Sequence, residues 1–303
     1  MSQPASPFAH SPATLRIGDR TVCRLGYGAM RLPGPDVWGE PADPAQARAV
    51  LRRAVDLGIN LIDTAWYYGP HVANRLIAEA LHPYPADLLL ACKLGGKRLP
   101  DKSWAPFIRP EELRQGLQED LRTLKLDCID VVHLRYMRTD VPFLESLDTM
   151  IALQREGLIR HIALSNVSAD LLQQALARTP IVAVQNIYNV GGGAGRLAQM
   201  AHALVDDPDG VLALCEARGI AYLPFFPLAI GRLSALPQQG ALQQAATRHN
   251  ATPAQIAIAW LLARSPVMLP IPGTSSLAHL EENWAARTIQ LSPAEVAAIG
   301  QGD

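Results

Sequence analysis

The chain has 303 residues, with 27 Lys and Arg against 28 Asp and Glu, a net charge of −1 and a pI near 6.7. That balance offers no basic patch for nucleic acid and no basic helix for a membrane surface, and no apolar run reaches the ~18 residues of a membrane span. The apolar fraction, 49%, is enough for a large core.

In chain order, Met1 to Ser11 is rich in Pro, Ser and Ala and lacks the apolar stretch of a secretory signal. A flexible tail is expected over 1–12 and a single domain over 13–303. Thr14 to Arg24 reads as two short strands around Gly18-Asp19, a hairpin signal. Candidate strands follow at Leu25–Gly28, Ile59–Asp63, Leu88–Cys92, Ile129–His133, Ile159–Leu164, Ile181–Gln185, Ile220–Leu223 and Val267–Ile271. Helical patterns separate them at Pro44–Leu57, Val72–Leu81, Pro110–Leu124, Pro142–Glu156, Ala169–Ala177, Val211–Arg218, Pro253–Arg264 and Leu277–Ala285. Asp43-Pro44, Ser168 and Thr252-Pro253 are helix-start signals. Alternating units with near-continuous apolar strands predict an α/β fold, a (β/α)8 TIM barrel, which uses ~250 residues as one unit. Leu94 to Arg109 and Leu228 to Gly240 break the spacing, and both would emerge at the C-terminal face, where barrels build their sites. The four cysteines, Cys23, Cys92, Cys128 and Cys215, are widely spaced in apolar segments, so buried thiols in a reducing, cytoplasmic setting are expected, with no metal site.

The apolar strand before Asp63 ends in a carboxylate, and Tyr68 follows five residues later. The next strand ends in Lys93. Asp, Tyr and Lys at the C-terminal ends of successive parallel strands can converge. A lysine beside a tyrosine can lower its pKa, an aspartate can keep that lysine charged, and such a phenol can protonate a carbonyl oxygen.

Gly58-Ile59-Asn60-Leu61-Ile62-Asp63-Thr64-Ala65, then Tyr68-Gly69 and Lys93, resemble the aldo-keto reductase family, whose pattern is G-x-N-x-I-D-T-A-x-x-Y-G followed by a strand ending in lysine. The resemblance implies that the hairpin plugs the bottom of the barrel. It makes Tyr68 the general acid rather than Tyr67, with Lys93 and Asp63 tuning it. Met30, Trp66, Tyr67 and Trp104 would line the substrate pocket. The family's fourth strand usually ends D-x-x-x-x-H, whereas Asp130-Val131-Val132-His133-Leu134-Arg135 puts arginine at the last position. Using His133 instead would keep the strand face but retract the ring about 6–7 Å at ~3.3 Å per residue. Arg135 is therefore assigned to the site and His133 to the core as a satisfied residue. An arginine there suits a substrate with an anionic group beside its carbonyl.

No G-x-G-x-x-G follows a strand, since Gly26-Tyr27-Gly28 lacks the rest, so a Rossmann site is unsupported. The family binds nicotinamide without one. By resemblance, Ser165, Asn166 and Gln185 hold the carboxamide, Phe225 stacks on the ring, and Phe226, Pro227 and Leu228 continue that cofactor loop. Gly28, Ala29 and Met30 flank the same site. Pro272, Gly273, Thr274, Ser275, Ser276, His279, Glu282 and Asn283 take the adenosine end, where a Gly-Thr-Ser-Ser run opening a helix also suits an anion. The resemblance makes NADPH the expected cofactor; no Lys or Arg stands in that run, so the 2′-phosphate site is softer and NADH is possible. The expected reaction is reduction of an aldehyde or ketone to an alcohol by a monomer or weak homo-oligomer, without nucleic acid or membrane partners. The arginine form, with Gly69 to Asn74 and Pro224 to Leu228, is similar to a bacterial subgroup containing pyridoxal reductases. Two other readings stay open: a phosphate-binding barrel isomerase or lyase, and a nicotinamide-nucleotide sensor with weak turnover.

Overall fold

The structure is a computed structural model that describes residues 13–137, 139–192, 205 and 207–301. The expected tail over 1–12 lies outside the described residues. Strands β1 (Thr14–Ile17) and β2 (Arg20–Cys23) form an antiparallel hairpin that turns at Gly18-Asp19. The parallel staves are β3 (Tyr27–Gly28), β4 (Leu61–Asp63), β5 (Leu89–Arg98), β7 (Ile129–Arg135), β8 (Ile159–Ser165), β9 (Ala183–Gln185) and β10 (Ala221–Tyr222), in the spatial order β3-β4-β5-β7-β8-β9-β10. Strand β6 (Trp104–Phe107) pairs antiparallel with the far end of β5.

The segment 267–271 closes the circle. Tyr222 donates to the Val267 carbonyl at 2.8 Å and Leu269 donates back to Tyr222 at 2.8 Å, while Gly26 donates to Pro270 at 3.0 Å. Pro270 and Pro272 cannot donate to a ladder, so this last stave pairs by single bridges rather than as a regular strand. Ile17 and Val22 of the hairpin pack with Leu61, Leu89, Val131, Ala183, Ala221 and Leu269, the residues that fill the N-terminal end of the barrel. The hairpin is thus the floor, as expected.

Around the staves lie α1 (Pro44–Asp56), α2 (Val72–Leu81), α3 (Pro110–Leu124), α4 (Phe143–Arg155), α5 (Ala169–Leu176), α6 (Pro208–Arg218), α7 (Gln239–Arg248), α8 (Pro253–Arg264), α9 (Leu277–Ala285) and α10 (Pro293–Gln301). The predicted caps are present: Asp43, Ser168 and Thr252 each accept from the backbone N–H three residues on. Two features differ from expectation. Leu94 to Arg109 is a β-hairpin, because β5 runs on past Lys93 and pairs Gly95 with Phe107 and Arg98 with Trp104. The helices α7 and α10 have no counterpart in the sequence reading. The cysteines carry free thiols, Cys92 and Cys215 buried and Cys23 and Cys128 half-buried.

Candidate active site

Parallel pairing sets the site. Asp63 is the last residue of β4, and Lys93 lies two residues beyond Ala91, the partner of Asp63 on β5. Lys93 pairs with His133 on β7, Arg135 pairs with Ser165 on β8, and Ser165 pairs with Gln185 on β9. Residues paired in register point to the same face, so these side chains share the inside of the barrel at its C-terminal end.

Asp63 and Lys93 are 3% and 2% exposed, so their charges are out of water. Such a pair is tolerated when further hydrogen bonds support it, and here they do. The Lys93 ammonium donates to Asp63 Oδ1 at 2.5 Å and to the Thr64 carbonyl at 2.9 Å. Asp63 Oδ2 accepts from Gln185 Nε2 at 2.8 Å. The ammonium lies 4.9 Å from the centroid of the Tyr68 ring. Asp63, Tyr68 and Lys93 are therefore brought together as expected. The effect on Tyr68 is not the expected one. Burial pushes its phenol well above the ordinary value, the Asp63 charge adds to this, and Arg135 opposes it. Desolvation outweighs the Arg135 charge, so the phenol is held protonated, the form a proton donor needs.

Arg135 is half-buried at the end of β7, with its guanidinium 5.7 Å from the Phe225 ring centroid. His133 lies one pleat deeper and is fully buried. Its Nδ1 sits 3.3 Å from the Cys92 carbonyl, an acceptor, so Nδ1 carries the proton. Nε2 has no partner. The expectation of a satisfied core histidine thus holds for one ring nitrogen only, because the barrel interior offers Nε2 no donor. Burial lowers this imidazole to about 4 and keeps it neutral.

On the cofactor side, Ser165 ends β8 with its hydroxyl buried and, among the described residues, unpartnered. Asn166 follows in the left-handed region, φ 62°, and its amide donates to the Tyr136 carbonyl at 2.7 Å. Phe225 packs edge-to-face on Phe226 at 5.1 Å. The loop then runs through Pro227 and Leu228, with Phe226, Ala229 and Ile230 all at positive φ. Gly28 and Gly273 abut: a Cβ on Gly273 would fall 2.4 Å from the Gly28 carbonyl, and one on Gly28 would fall 2.6 Å from that of Ile271. Ala29 and Met30 form a 3-10 turn directly after Gly28. Thr274 Oγ1 accepts from the Ser276 N–H at 3.1 Å, and Ser276 caps α9 by accepting from His279. Ser275 and His279 are exposed and Pro272 and Asn283 buried. Glu282 is already bonded to Thr252 at 2.5 Å.

Tyr67 is buried and packs edge-to-face on Tyr68 at 5.4 Å and on Trp104 at 5.7 Å. Trp66 sits behind them, against His71 and Phe107, with Nε1 beside Gly116 of α3. Two contributors and one role escaped the sequence reading. Gln185 orients Asp63, Arg98 stacks 4.4 Å from Trp104, and Arg31 places its Cγ beside Gly273. Only the basic residues flanking the two cofactor segments could have signalled the last.

Residues 24–302 match the aldo/keto reductase family. The chain is 46% identical to the pyridoxine 4-dehydrogenase of Escherichia coli strain K12, over 93% of this chain and 95% of that one. It is 40% identical to an uncharacterized oxidoreductase of Schizosaccharomyces pombe, over 94% and 88%. Among solved structures, an aldo-keto reductase from Klebsiella pneumoniae in complex with NADP and acetate is 28% identical, with a TM-score of 0.74 over 95% of this chain and 94% of that one. A thermostable aldo-keto reductase in complex with epalrestat, also 28% identical, gives 0.78 over 95% and 98%. The chain belongs to the aldo/keto reductase family and is an NAD(P)H-dependent oxidoreductase.

Proposed function

We propose that the enzyme reduces an aldehyde that carries an anionic oxygen beside it, pyridoxal above all, with NADPH as the reductant. The observation that carries this reading is Arg135, a permanent cation at the end of β7 whose charge acts on Tyr68 and whose guanidinium faces Phe225. Pyridoxal fits because its aldehyde neighbours a phenolate oxygen, which a guanidinium fork can bind. The relative's activity on pyridoxine supports the same alcohol–aldehyde couple.

The residues present suit the nicotinamide. The orphaned Ser165 hydroxyl is a buried group in want of a polar partner, and Phe225 offers an aromatic face. When bound, the dihydronicotinamide supplies the hydride. The chain's own residues do the rest. Arg135 orients the carbonyl through the neighbouring oxygen. Tyr68 donates its proton to the carbonyl oxygen as negative charge develops there. Lys93, fixed by Asp63 and Thr64, stabilises the phenolate left behind. Gln185 holds Asp63 so that this electrostatic frame does not reorganise during reaction. Ser275 and Ser276, with Arg31 nearby, would meet the adenosine phosphate. The proposed setting is the cytoplasm; among the described residues no helix is long and apolar enough to cross a membrane.

The test is NADPH oxidation by the purified protein with pyridoxal and with a neutral aromatic aldehyde of similar size. Pyridoxal should have the higher kcat/KM by at least tenfold. Equal values would remove the case for an anionic substrate.

A further inference from the structure

Behind the strand ends lies a second buried polar cluster that the chemistry above does not use. Asp120 on α3, Asn74 on α2 and Thr64 after β4 are each fully buried. Thr64 Oγ1 donates to Asn74 Oδ1 at 2.7 Å. Asn74 Nδ2 donates to Asp120 Oδ1 at 2.7 Å and to Thr123 Oγ1 at 3.1 Å. The layer around them is apolar, with Leu76, Ile77, Leu113, Leu117 and Leu124 all at zero exposure. Among the described residues Asp120 Oδ2 has no hydrogen-bond partner, and the Cys92 thiol and the backbone N–H of Trp66 face the carboxyl. Burying a carboxyl there is costly, and an apolar side chain would fill the space at lower free energy.

Thr64 joins the two sides of the barrel wall. Its hydroxyl reaches outward to Asn74, and its carbonyl accepts from the Lys93 ammonium. We infer that Asp120 is a positioning residue for Lys93: through Asn74 and Thr64 it fixes one of the two oxygens that hold the ammonium, and its ionisation alters how readily Tyr68 releases a proton. This rests on the reading of Tyr68 and Lys93 as the catalytic pair.

Other groups face the carboxyl from each packed element: Cys92 and Lys93 from β5, Tyr67 and Tyr68 from the turn after β4, and Asn74 from α2. Asp63 is paired to Lys93. Burial lifts the Asp120 carboxyl to about 8, against the lowering effects of Asn74 and Lys93. Below that pH the carboxyl is neutral. Above it, a negative charge appears behind the wall and opposes formation of the Tyr68 phenolate. Proton donation therefore weakens as pH rises through about 8. The folded carboxyl also keeps its proton above the unfolded value of 3.8, so its contribution to stability falls between that pH and about 8.

Two variants test the role. Asp120→Asn keeps the shape and the acceptor for Asn74 but cannot ionise; Asp120→Leu keeps the volume and removes the acceptor. Single-turnover hydride transfer, the NADPH Kd and Tm are measured against pH, with Tyr68→Phe as control. Asp120→Leu should slow transfer about tenfold, the equivalent of one buried hydrogen bond, with Kd within about twofold. Asp120→Asn should match the parent near pH 6.5, exceed it by about threefold or more near pH 9, and show a Tm advantage that widens with pH. Parent-like rates in Asp120→Leu, or an Asp120→Asn profile that tracks the parent, overturn the role. Should Asp120→Leu not fold, the Asp120→Asn profile decides. If Tyr68→Phe also transfers hydride at full rate, the catalytic reading fails first. If Tyr68→Phe alone is slow, the positioning role alone fails.

Discussion

The strand-end cluster and the Pro272–Asn283 segment hold their polar groups in opposite ways. At the strand ends Asp63, Lys93 and Gln185 are buried, and each is bonded to another member. Along 272–283, Ser275 and His279 lie exposed, and the hydroxyls of Thr274 and Ser276 bind backbone N–H groups. The first arrangement fixes charges where water cannot screen them, which is where developing charge is best stabilised. The second offers a capped helix start and soft contacts, enough to hold a nucleotide without taking part in chemistry. Substitutions in the two regions should therefore differ in size and in sensitivity to salt.

The largest effect is expected at Tyr68. Tyr68→Phe removes only the phenol, which is buried and held protonated. Single-turnover reduction should fall ~10²-fold or more, the usual contribution of a positioned acid, with the NADPH Kd little changed. A variant that keeps the parent rate would transfer the acid's role to another group. Tyr67, whose buried hydroxyl has no partner among the described residues, is the next to examine.

That contrast also marks what the sequence could reveal. Asp63, Lys93 and Arg135 are legible because parallel strands with apolar interiors place their last residues at one end of a barrel. The bond from Gln185 to Asp63 crosses the barrel, and its length depends on closure, which no local pattern encodes. Asp120 sits in Gln115-Gly116-Leu117-Gln118-Glu119-Asp120, where it reads as one more solvated acid; only the packing of α3 on β5 and α2 shows it facing inward. Helix α7 has a weak apolar stripe made largely of alanines, and the stave at 267–271 is interrupted by prolines, so neither announced its structure fully.

An intermediate effect is expected at Arg135, which belongs to the buried region by position but acts on the substrate. Arg135→His should lower kcat/KM for pyridoxal by ~1.5–3 kcal/mol in transition-state binding, the scale of a charge-assisted hydrogen bond. A neutral benzaldehyde should lose less. Because the site is half-buried and walled by Phe225, the difference should persist at high salt. Equal losses on both substrates would mean that Arg135 orients the carbonyl itself.

The smallest effect belongs to the exposed segment. Among 272–283 no Lys or Arg stands ready for a 2′-phosphate, so Ser275→Arg should raise the preference for NADPH over NADH. A fully formed guanidinium–phosphate pair would be worth ~1.5–3 kcal/mol. Ser275 is exposed, however, and exposed pairs lose most of that to water and to side-chain entropy. A gain of about 0.5–1 kcal/mol, roughly two- to fivefold in the Kd ratio, is the expected outcome. It should shrink further at ~0.5 M salt, where the screening length is only a few ångströms. The decisive comparison is the salt response of the two arginines. If the Ser275→Arg gain resists salt as the Arg135 effect does, the phosphate is held in a drier pocket than the exposed segment suggests. Arg31, whose stem already lies beside Gly273, would be the first candidate for closing it.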